Sequence, residues 1–291
     1  MATRAPGEPE AIRAIPVRHW GRWVSAVAVL AIVVWLAWSA ARSGFIDGVQ
    51  VRRYLFSPLI LRGVRATVVL AVAAQATGIV LGVAFAVLRL SKNVVASWLS
   101  AAYIWFFRGT PVLVQLFFWY NGVPSVWKRI TIAVPFTHTT LYSARMVDFM
   151  TPFVAAFLGL ALNEGAYMAE IVRAGILSVD DGQVEAAQAL GMTPLLTMRR
   201  IVLPQAMRVI VPPTGNEFIS MLKTTSLASA ITYGELLRRS SDIYSTNLDV
   251  VPLLVVASLW YLVLTTVASG GQLLLERRYG RGVAGGGRRR W

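Results

Sequence analysis

The chain of 291 residues is 56% hydrophobic and 14% charged, which leaves too little polar surface for a soluble globule and too much apolar sequence for a disordered chain. In a soluble protein, the formal net charge of +14 would favour nucleic acid as the partner. In a membrane protein, the same charge is the expected result of arginine-rich cytoplasmic loops, so no nucleic acid partner is expected. Because cysteine is absent and only two histidines are present, the composition also excludes thiolate sites, clustered metal ligands and Ser-His-Asp catalysis.

Six apolar stretches have about the 20 residues that a membrane-spanning helix needs. The first covers Trp23–Ala41 and follows a basic N-terminal segment. Its long apolar core, which contains three tryptophans, favours an uncleaved membrane anchor over a secretory signal peptide. The second covers about Thr67–Leu88 and contains Gly78 and Gly82, a spacing that is typical of closely packed helices.

The third stretch, Trp98–Tyr120, is interrupted at Phe107–Pro111. Because the residue before a proline disfavours helical geometry, we expect a membrane-surface helix to end here and a span to begin. The remaining stretches are the fourth over about Phe153–Ile171, the fifth over about Ile210–Ile231 and the sixth over Val250–Ser269. An even number of spans places both termini on the same side of the membrane.

The distribution of basic residues predicts the orientation of these six spans. The side that holds both termini carries sixteen lysines and arginines in its loops, against eight in the segments 42–53, 128–145 and 238–239 of the opposite side. Because cytoplasmic loops are enriched in lysine and arginine, both termini are expected in the cytoplasm.

The cytoplasmic loop over 173–208 is unusually long, and its sequence predicts two short helices. The first, about Gln183–Leu190, stops at Gly191, the residue type that most often follows a helix end. The second opens with the capping pair Thr193-Pro194 and is expected to break at Pro204. A compact helical hairpin rich in alanine and leucine would fit a groove on another protein, although a re-entrant or merely packed loop is the alternative.

Four motifs of the chain resemble those of permease subunits of bacterial ATP-binding-cassette (ABC) importers. The loop matches the spacing EAA-x3-G-x9-I-x-LP of that family at Glu185, Ala186, Ala187, Gly191, Ile201, Leu203 and Pro204. The other motifs resemble the polar amino acid branch of the family, which includes permeases for histidine, glutamate, glutamine, arginine and opines, and they cover 107–118, 163–173 and 212–219. This resemblance extends over roughly residues 60–275.

The resemblance implies an all-α membrane protein with about six transmembrane helices, namely an N-terminal anchor followed by the five-helix core of a type I importer. It implies that polar amino acids are imported across the bacterial cytoplasmic membrane, driven by ATP hydrolysis that is coupled through the loop around 183–204. The implied partners are ABC ATPase subunits, a second permease subunit in a homo- or heterodimer, and an extracytoplasmic amino-acid-binding protein. ATP and magnesium belong to the ATPase, so the chain itself is expected to be neither an enzyme nor a cofactor-binding protein, in agreement with its lack of a Walker A motif.

Four segments are therefore predicted, in a chain surrounded by membrane lipid. They are a basic cytoplasmic segment over 1–22, an extra transmembrane helix over 23–41, the permease domain over 60–275 and a basic Gly/Arg-rich cytoplasmic tail over 276–291. The extra helix and the long external segment 121–150 depart from the usual pattern of the polar amino acid branch.

Polar side chains on the fourth and fifth spans predict a solute path or gate, because ionisable groups inside a span are costly and generally face an interior or water. Helical spacing groups them into two stripes: Asn163, Tyr167 and Glu170 on the fourth span, and Asn216, Ser220 and Lys223 on the fifth, with Glu217 on the adjoining edge. Glu164 is expected to point away from the first stripe. The alternative is that Glu170 pairs with Arg173, and Glu217 with Lys223, only to neutralise buried charge.

Three other classes of membrane protein fit the sequence less well. A membrane enzyme would need His, Asp or Glu at catalytic or metal-binding spacing, which the sequence does not show. A channel has no need of a cytoplasmic helical hairpin that is shaped for a partner. A secondary transporter should contain paired inverted repeats, and no convincing internal repeat is visible.

Overall fold

The computed structural model describes residues 20–42, 47–133 and 140–279. Helices dominate these ranges, and the helix over 20–42 forms a unit separate from the one that begins at Gly48. The helices of the first half are α1 (Trp20–Arg42), α2 (Gly48–Leu55), α3 (Pro58–Arg89), α4 (Val94–Gly109), α5 (Val112–Phe117) and α6 (Val123–Val126). The predicted anchor thus coincides with a helix, although most of the predicted segment 1–22 and the tail from residue 280 lie outside the described residues.

The second half begins with a two-stranded hairpin and continues with seven α-helices, of which α9 and α10 belong to the loop after α8. Its elements are β1 (Arg129–Ala133), β2 (Thr140–Arg145), α7 (Met146–Phe149), α8 (Pro152–Leu177), α9 (Asp181–Ala189), α10 (Pro194–Thr197), α11 (Leu203–Thr224), α12 (Leu236–Asn247) and α13 (Val250–Tyr279). The sequence analysis did not predict the antiparallel β1–β2 pair, in which Arg129 lies opposite Arg145, or the helix α12.

By length and composition, α3 and α13 are each able to cross a membrane, and the bent α4–α6 segment adds a third candidate span. The other apolar helices, α1, α8 and α11, correspond to the remaining predicted stretches. The fold is therefore an all-α membrane fold, with one two-stranded hairpin among the described residues, and it is consistent with about six spans.

The helix α3 begins well before the predicted start of its span at Thr67. The Ser57 side chain accepts a hydrogen bond from the Ile60 amide, and Pro58 occupies the first turn, so the start carries both usual signals of a helix N-terminus. Arg62 and Arg65 lie on the exposed side of these added turns. Because these two residues are charged, the apolar stretch in the sequence begins only after them, although the helix itself runs through them without a break.

The predicted interruption of the third stretch is confirmed. The helix α4 ends at Gly109, α5 begins at Val112, and the chain bends by 102° between them. The Gln115 side-chain amide holds this corner, because it donates hydrogen bonds to the carbonyl oxygens of Phe107 and Thr110 at 3.0 and 3.1 Å.

The glycine spacing on α3 brings that helix into close contact with α8. A methyl group added at Gly78 would overlap the side chain of Glu164, and one added at Gly82 would overlap Met168. The close packing that the GxxxG spacing predicted is therefore confirmed. Its consequence is that a buried carboxylate of α8 lies directly against α3.

A buried carboxylate anchors α12 to the two helices that flank it. Glu235 precedes α12 and is fully buried, and its carboxylate accepts hydrogen bonds from the amides of Leu237 and Arg238 at 2.9 and 2.7 Å. The Tyr261 hydroxyl of α13 donates to the same carboxylate at 2.7 Å, while the Leu236 amide donates to the Thr67 hydroxyl of α3 at 3.2 Å. These bonds fix the start of α12 between α3 and α13.

Candidate solute pocket and partner-docking loop

The loop after α8 forms the predicted helical hairpin. Asp180 caps α9 by accepting a hydrogen bond from the Gly182 amide at 2.9 Å. The chain reverses at Gly191, whose φ of +77° is a left-handed conformation that glycine adopts without steric cost. Thr193 then caps α10, with Pro194 in the first turn, so the predicted pattern of stop and start residues is confirmed.

The hairpin is anchored on one side and presents apolar side chains on the other. Ala187 is buried, and Val184 packs against the cluster that α8 and α11 form beneath the loop. At the tip, Leu190 is 83% exposed and Leu195 is 79% exposed. Large exposed apolar side chains on a well-formed surface mark an interaction site.

The prediction that the second loop helix breaks at Pro204 is wrong. A π-helical turn over Met198–Val202 follows α10, and α11 starts directly at Leu203. The Leu203 amide bonds the Met198 carbonyl, which shifts the hydrogen-bond register by one residue. Pro204 then falls in the first turn of α11, where its missing N–H is not needed. The helical backbone therefore continues without a break from the loop into the fifth predicted span, which ends in a 3₁₀ turn over Thr225–Ile231.

A polar pocket of about 330 Å³ lies between α5, α8 and α11. Its volume is in the range of small-molecule sites. The polar side chains that line it are Asn163, Glu164, Tyr167, Glu217, Ser220 and Thr224. The pocket thus brings together four of the seven residues that the sequence analysis assigned to a solute path: Asn163, Tyr167, Glu217 and Ser220.

The prediction that Glu164 points away from this group is wrong. Neighbouring residues of a helix are about 100° apart, so a cavity that lies between two stripes is bordered by both. The Gln75 side chain of α3 holds Glu164 in place by donating a hydrogen bond to its carboxylate at 2.9 Å, and both residues are buried. Gln75 does not line the pocket itself, and only the close α3–α8 contact brings its side chain to Glu164.

The structure separates the other three assigned residues from the pocket. Lys223 lines a second cavity, together with Tyr261 and Thr265 of α13, and so it does not pair with Glu217. Asn216 is exposed on α11. Glu170 forms an ion pair with Arg173 at 2.7 Å, which is the neutralising pair considered as the alternative.

The sequence analysis missed Arg108. Its guanidinium lies over the Tyr167 ring, 5.0 Å from the ring centroid, and it interacts electrostatically with Glu170 and Glu217. A basic residue inside an apolar stretch was the available signal, since such residues are costly in a membrane unless they serve a function. The side-chain amide of Asn163 also donates a hydrogen bond to the Phe107 carbonyl at 2.7 Å, which ties α8 to the corner that positions Arg108.

The charges around the pocket match a zwitterion. Glu164 and Glu217 both line the pocket, so two carboxyl groups face the space in which a cation could lie. Arg108 offers a guanidinium, which binds carboxylates in two parallel hydrogen bonds. Among the residues that the structure describes, no group of three or more His, Cys, Asp or Glu side chains could hold a metal ion.

Comparisons with known proteins identify the family of this chain. The family described as binding-protein-dependent transport system inner membrane component matches residues 78–281. An arginine transport system permease protein of Corynebacterium glutamicum is 45% identical over 276 residues, which cover 94% of this chain and 85% of that protein. An L-cystine transport system permease protein of Bacillus subtilis is 38% identical over 230 residues, covering 79% and 90%. The crystal structure of an amino acid ABC transporter with histidines contains a chain that superimposes with a TM-score of 0.67 at 35% identity, over 80% of this chain and 99% of that one.

Proposed function

The chain belongs to the inner membrane components of binding-protein-dependent transport systems, and we propose that it is the permease subunit through which a polar amino acid enters the cell. As a member of this family, it is a transport subunit of an ABC importer and not an enzyme. The observation that carries the amino-acid proposal is the pocket that Glu164 and Glu217 line, beside which the Arg108 guanidinium lies over the ring of the lining residue Tyr167.

In this proposal the pocket favours amino acids with a cationic side chain. The solute carboxylate binds Arg108, while its ammonium and cationic side-chain groups lie between Glu164 and Glu217. Asn163 and Ser220 supply neutral hydrogen bonds, and Tyr167 borders the entrance beneath Arg108. The name of the arginine permease from Corynebacterium supports this assignment.

Three of the assigned residues take supporting places along the proposed path. Glu170 lies one helical turn beyond Tyr167, on the side of the loop, and its ion pair with Arg173 would act as a gate. Lys223 and Asn216 lie on α11 beside residues that line the pocket. They would contact the solute as it moves into or out of the pocket.

We further propose that the hairpin over 183–204 couples the permease to its ATPase subunit, which carries ATP and magnesium. The coupling residues are Glu185, Ala186, Ala187, Gly191, Ile201, Leu203 and Pro204. The exposed Leu190 and Leu195 support this role, since they would enter a groove of the partner as anchors. The unbroken passage from π-turn to α11 supports transmission of movement from the loop to the pocket.

The proposed assembly contains a second permease subunit, the ATPase subunits and an extracytoplasmic amino-acid-binding protein. Within this chain the permease domain covers 60–275, the helix over 23–41 adds a span, and the segments 1–22 and 276–291 are cytoplasmic. The hairpin β1–β2 and the helix α12 then lie on the extracytoplasmic side, where the binding protein docks.

The proposed function is tested by uptake of labelled amino acids in a strain that lacks this chain and then regains it. We expect uptake of arginine and lysine to be restored most strongly, and uptake of glutamine or histidine less so. Uptake that is equal with and without the chain for every amino acid of the panel would remove the proposal.

The proposed orientation predicts a pattern of chemical labelling. A cysteine placed near Gly7, or in the tail at 285–287, should resist membrane-impermeant thiol reagents in intact cells, whereas one placed at Asn121 or Asn247 should react. The chain has no native cysteine, so each label reports one position. Labelling of both termini in intact cells would contradict the six-span arrangement.

A further inference from the structure

A long apolar groove runs along α3, α8, α11 and α13, on the opposite side of α11 from Lys223. Its volume is about 770 Å³, and aliphatic, methionine and phenylalanine side chains form nearly all of its surface. On α3 the lining residues are Gln75, Ile79, Val83 and Val87, which recur every fourth residue. The groove therefore follows one face of α3 over several helical turns.

The length of the groove corresponds to one leaflet of a bilayer. Val87 lies twelve positions after Gln75, which corresponds to a rise of about 18 Å along the helix. Half of the hydrocarbon core of a bilayer is about 15 Å thick. The groove is therefore about as long as one acyl chain of a phospholipid.

One end of the groove opens beside basic side chains. Met198 lines this end, and the exposed Arg199 and Arg200 follow it directly in the π-helical turn. On α13, Arg278 lies one turn beyond the lining residue Leu275, on the same helix face.

Two further charges of α13 lie at this end of the groove. Arg277 is exposed next to Arg278 and adds to the positive charge. The acidic Glu276 lies between these arginines and Leu275, and its carboxylate accepts a hydrogen bond from the Gln272 side chain at 2.9 Å. Positive charge therefore predominates where the groove ends.

We infer that this groove binds an acyl chain of an anionic phospholipid from the cytoplasmic leaflet, with the lipid phosphate held by Arg200 and Arg278. Basic sites between transmembrane helices on the cytoplasmic side recognise anionic head groups in this way. The apolar lining accommodates the acyl chain, and the arginines distinguish an anionic from a zwitterionic lipid. The groove and the solute pocket share no lining residue, although the groove residue Gln75 donates a hydrogen bond to Glu164 of the pocket, and the inference does not depend on which amino acid is carried.

The test uses the intact permease–ATPase complex in phosphatidylcholine vesicles that contain a small fraction of phosphatidylglycerol with a photoreactive group in its acyl chain. Cross-linked residues are then identified by mass spectrometry. We expect labelling at Val83 and Met207 in the groove, and much weaker labelling there by a photoreactive phosphatidylcholine. Arg200→Gln and Arg278→Gln should each lower the phosphatidylglycerol labelling about fivefold.

A matched pair of variants separates the groove from general contact with lipid. Val83→Trp fills the groove and should abolish labelling at Met207, whereas Val80→Trp should not, because Val80 is 68% exposed on the same helix and lies outside the groove lining. Equal labelling of the groove by both lipids would overturn the inference. So would an unlabelled groove beside a labelled Val80, which would show that a helix of this chain or of the second permease covers it. Neither result depends on transport.

Discussion

Replacing Gly191 with aspartate abolishes uptake and ATPase association while leaving the chain in the membrane. Nothing lies within 4 Å of the position that a Cβ atom would take at Gly191, so the new carboxylate projects away from the loop. In the proposed complex it would be buried without a counter-charge in the groove of the partner, which costs several kcal/mol. The left-handed backbone adds only about 1–2 kcal/mol of local strain. Uptake, co-purification of the ATPase and membrane content of the variant are the three measurements.

Two controls separate docking from folding. Gly191→Asn has nearly the same size as the aspartate variant and tolerates the left-handed conformation, but it carries no charge, and it should retain more uptake. Gly48→Asp introduces the same carboxylate at another open position, at the start of α2, and should transport normally. Normal uptake by the Gly191→Asp variant would contradict the docking role of the loop.

The loop could be predicted from the sequence because its signals are local. A glycine after the last turn and a Thr-Pro pair at the next start act through hydrogen bonds to their own neighbours, so they need no knowledge of the rest of the fold. The Ser57-Pro58 start of α3 carried the same kind of signal. The break expected at Pro204 failed, because a π-helical turn placed that proline where its missing N–H has no consequence.

The pocket could be predicted only in part, because helical spacing groups residues without showing which neighbour they face. The polar side chains of α11 line two different cavities. Glu217 faces the pocket beside α8, whereas Lys223 faces the cavity beside α13. Gln75 and Arg108 contact Glu164 and Tyr167 from other elements, through the close α3–α8 packing and the corner after α4. Contacts between residues of different helices depend on how whole helices pack. The spacing of polar residues within one helix therefore cannot predict them.

The pocket itself is tested by Glu217→Gln, which should reduce uptake of arginine and lysine more than uptake of glutamine. The substitution keeps the size of the side chain but removes one of the two carboxylates that would hold a cationic solute. A hydrogen bond to a charged group contributes about 1.5–3 kcal/mol, so uptake of the cationic amino acids should fall by roughly 10- to 150-fold. Initial uptake rates at solute concentrations below saturation are the measurement.

The matched variants for this experiment come from the same chain. Glu276→Gln makes the same chemical change at the far end of α13 and should leave the ratio of arginine to glutamine uptake unchanged. Lys223→Met removes a cation that faces the second cavity, and Glu170→Gln breaks the Arg173 pair. We expect these two variants to alter the rate of transport for all solutes alike.

The outcome distinguishes solute binding from the mere accommodation of buried charge. If Glu217 binds the solute, its neutral variant discriminates among amino acids while the complex still hydrolyses ATP when the loaded binding protein is added. If Glu217 were only structural, removal of its charge would change the transport of every amino acid by the same factor. An unchanged ratio of arginine to glutamine uptake, at normal membrane content, would therefore exclude the pocket as the place where the solute is selected.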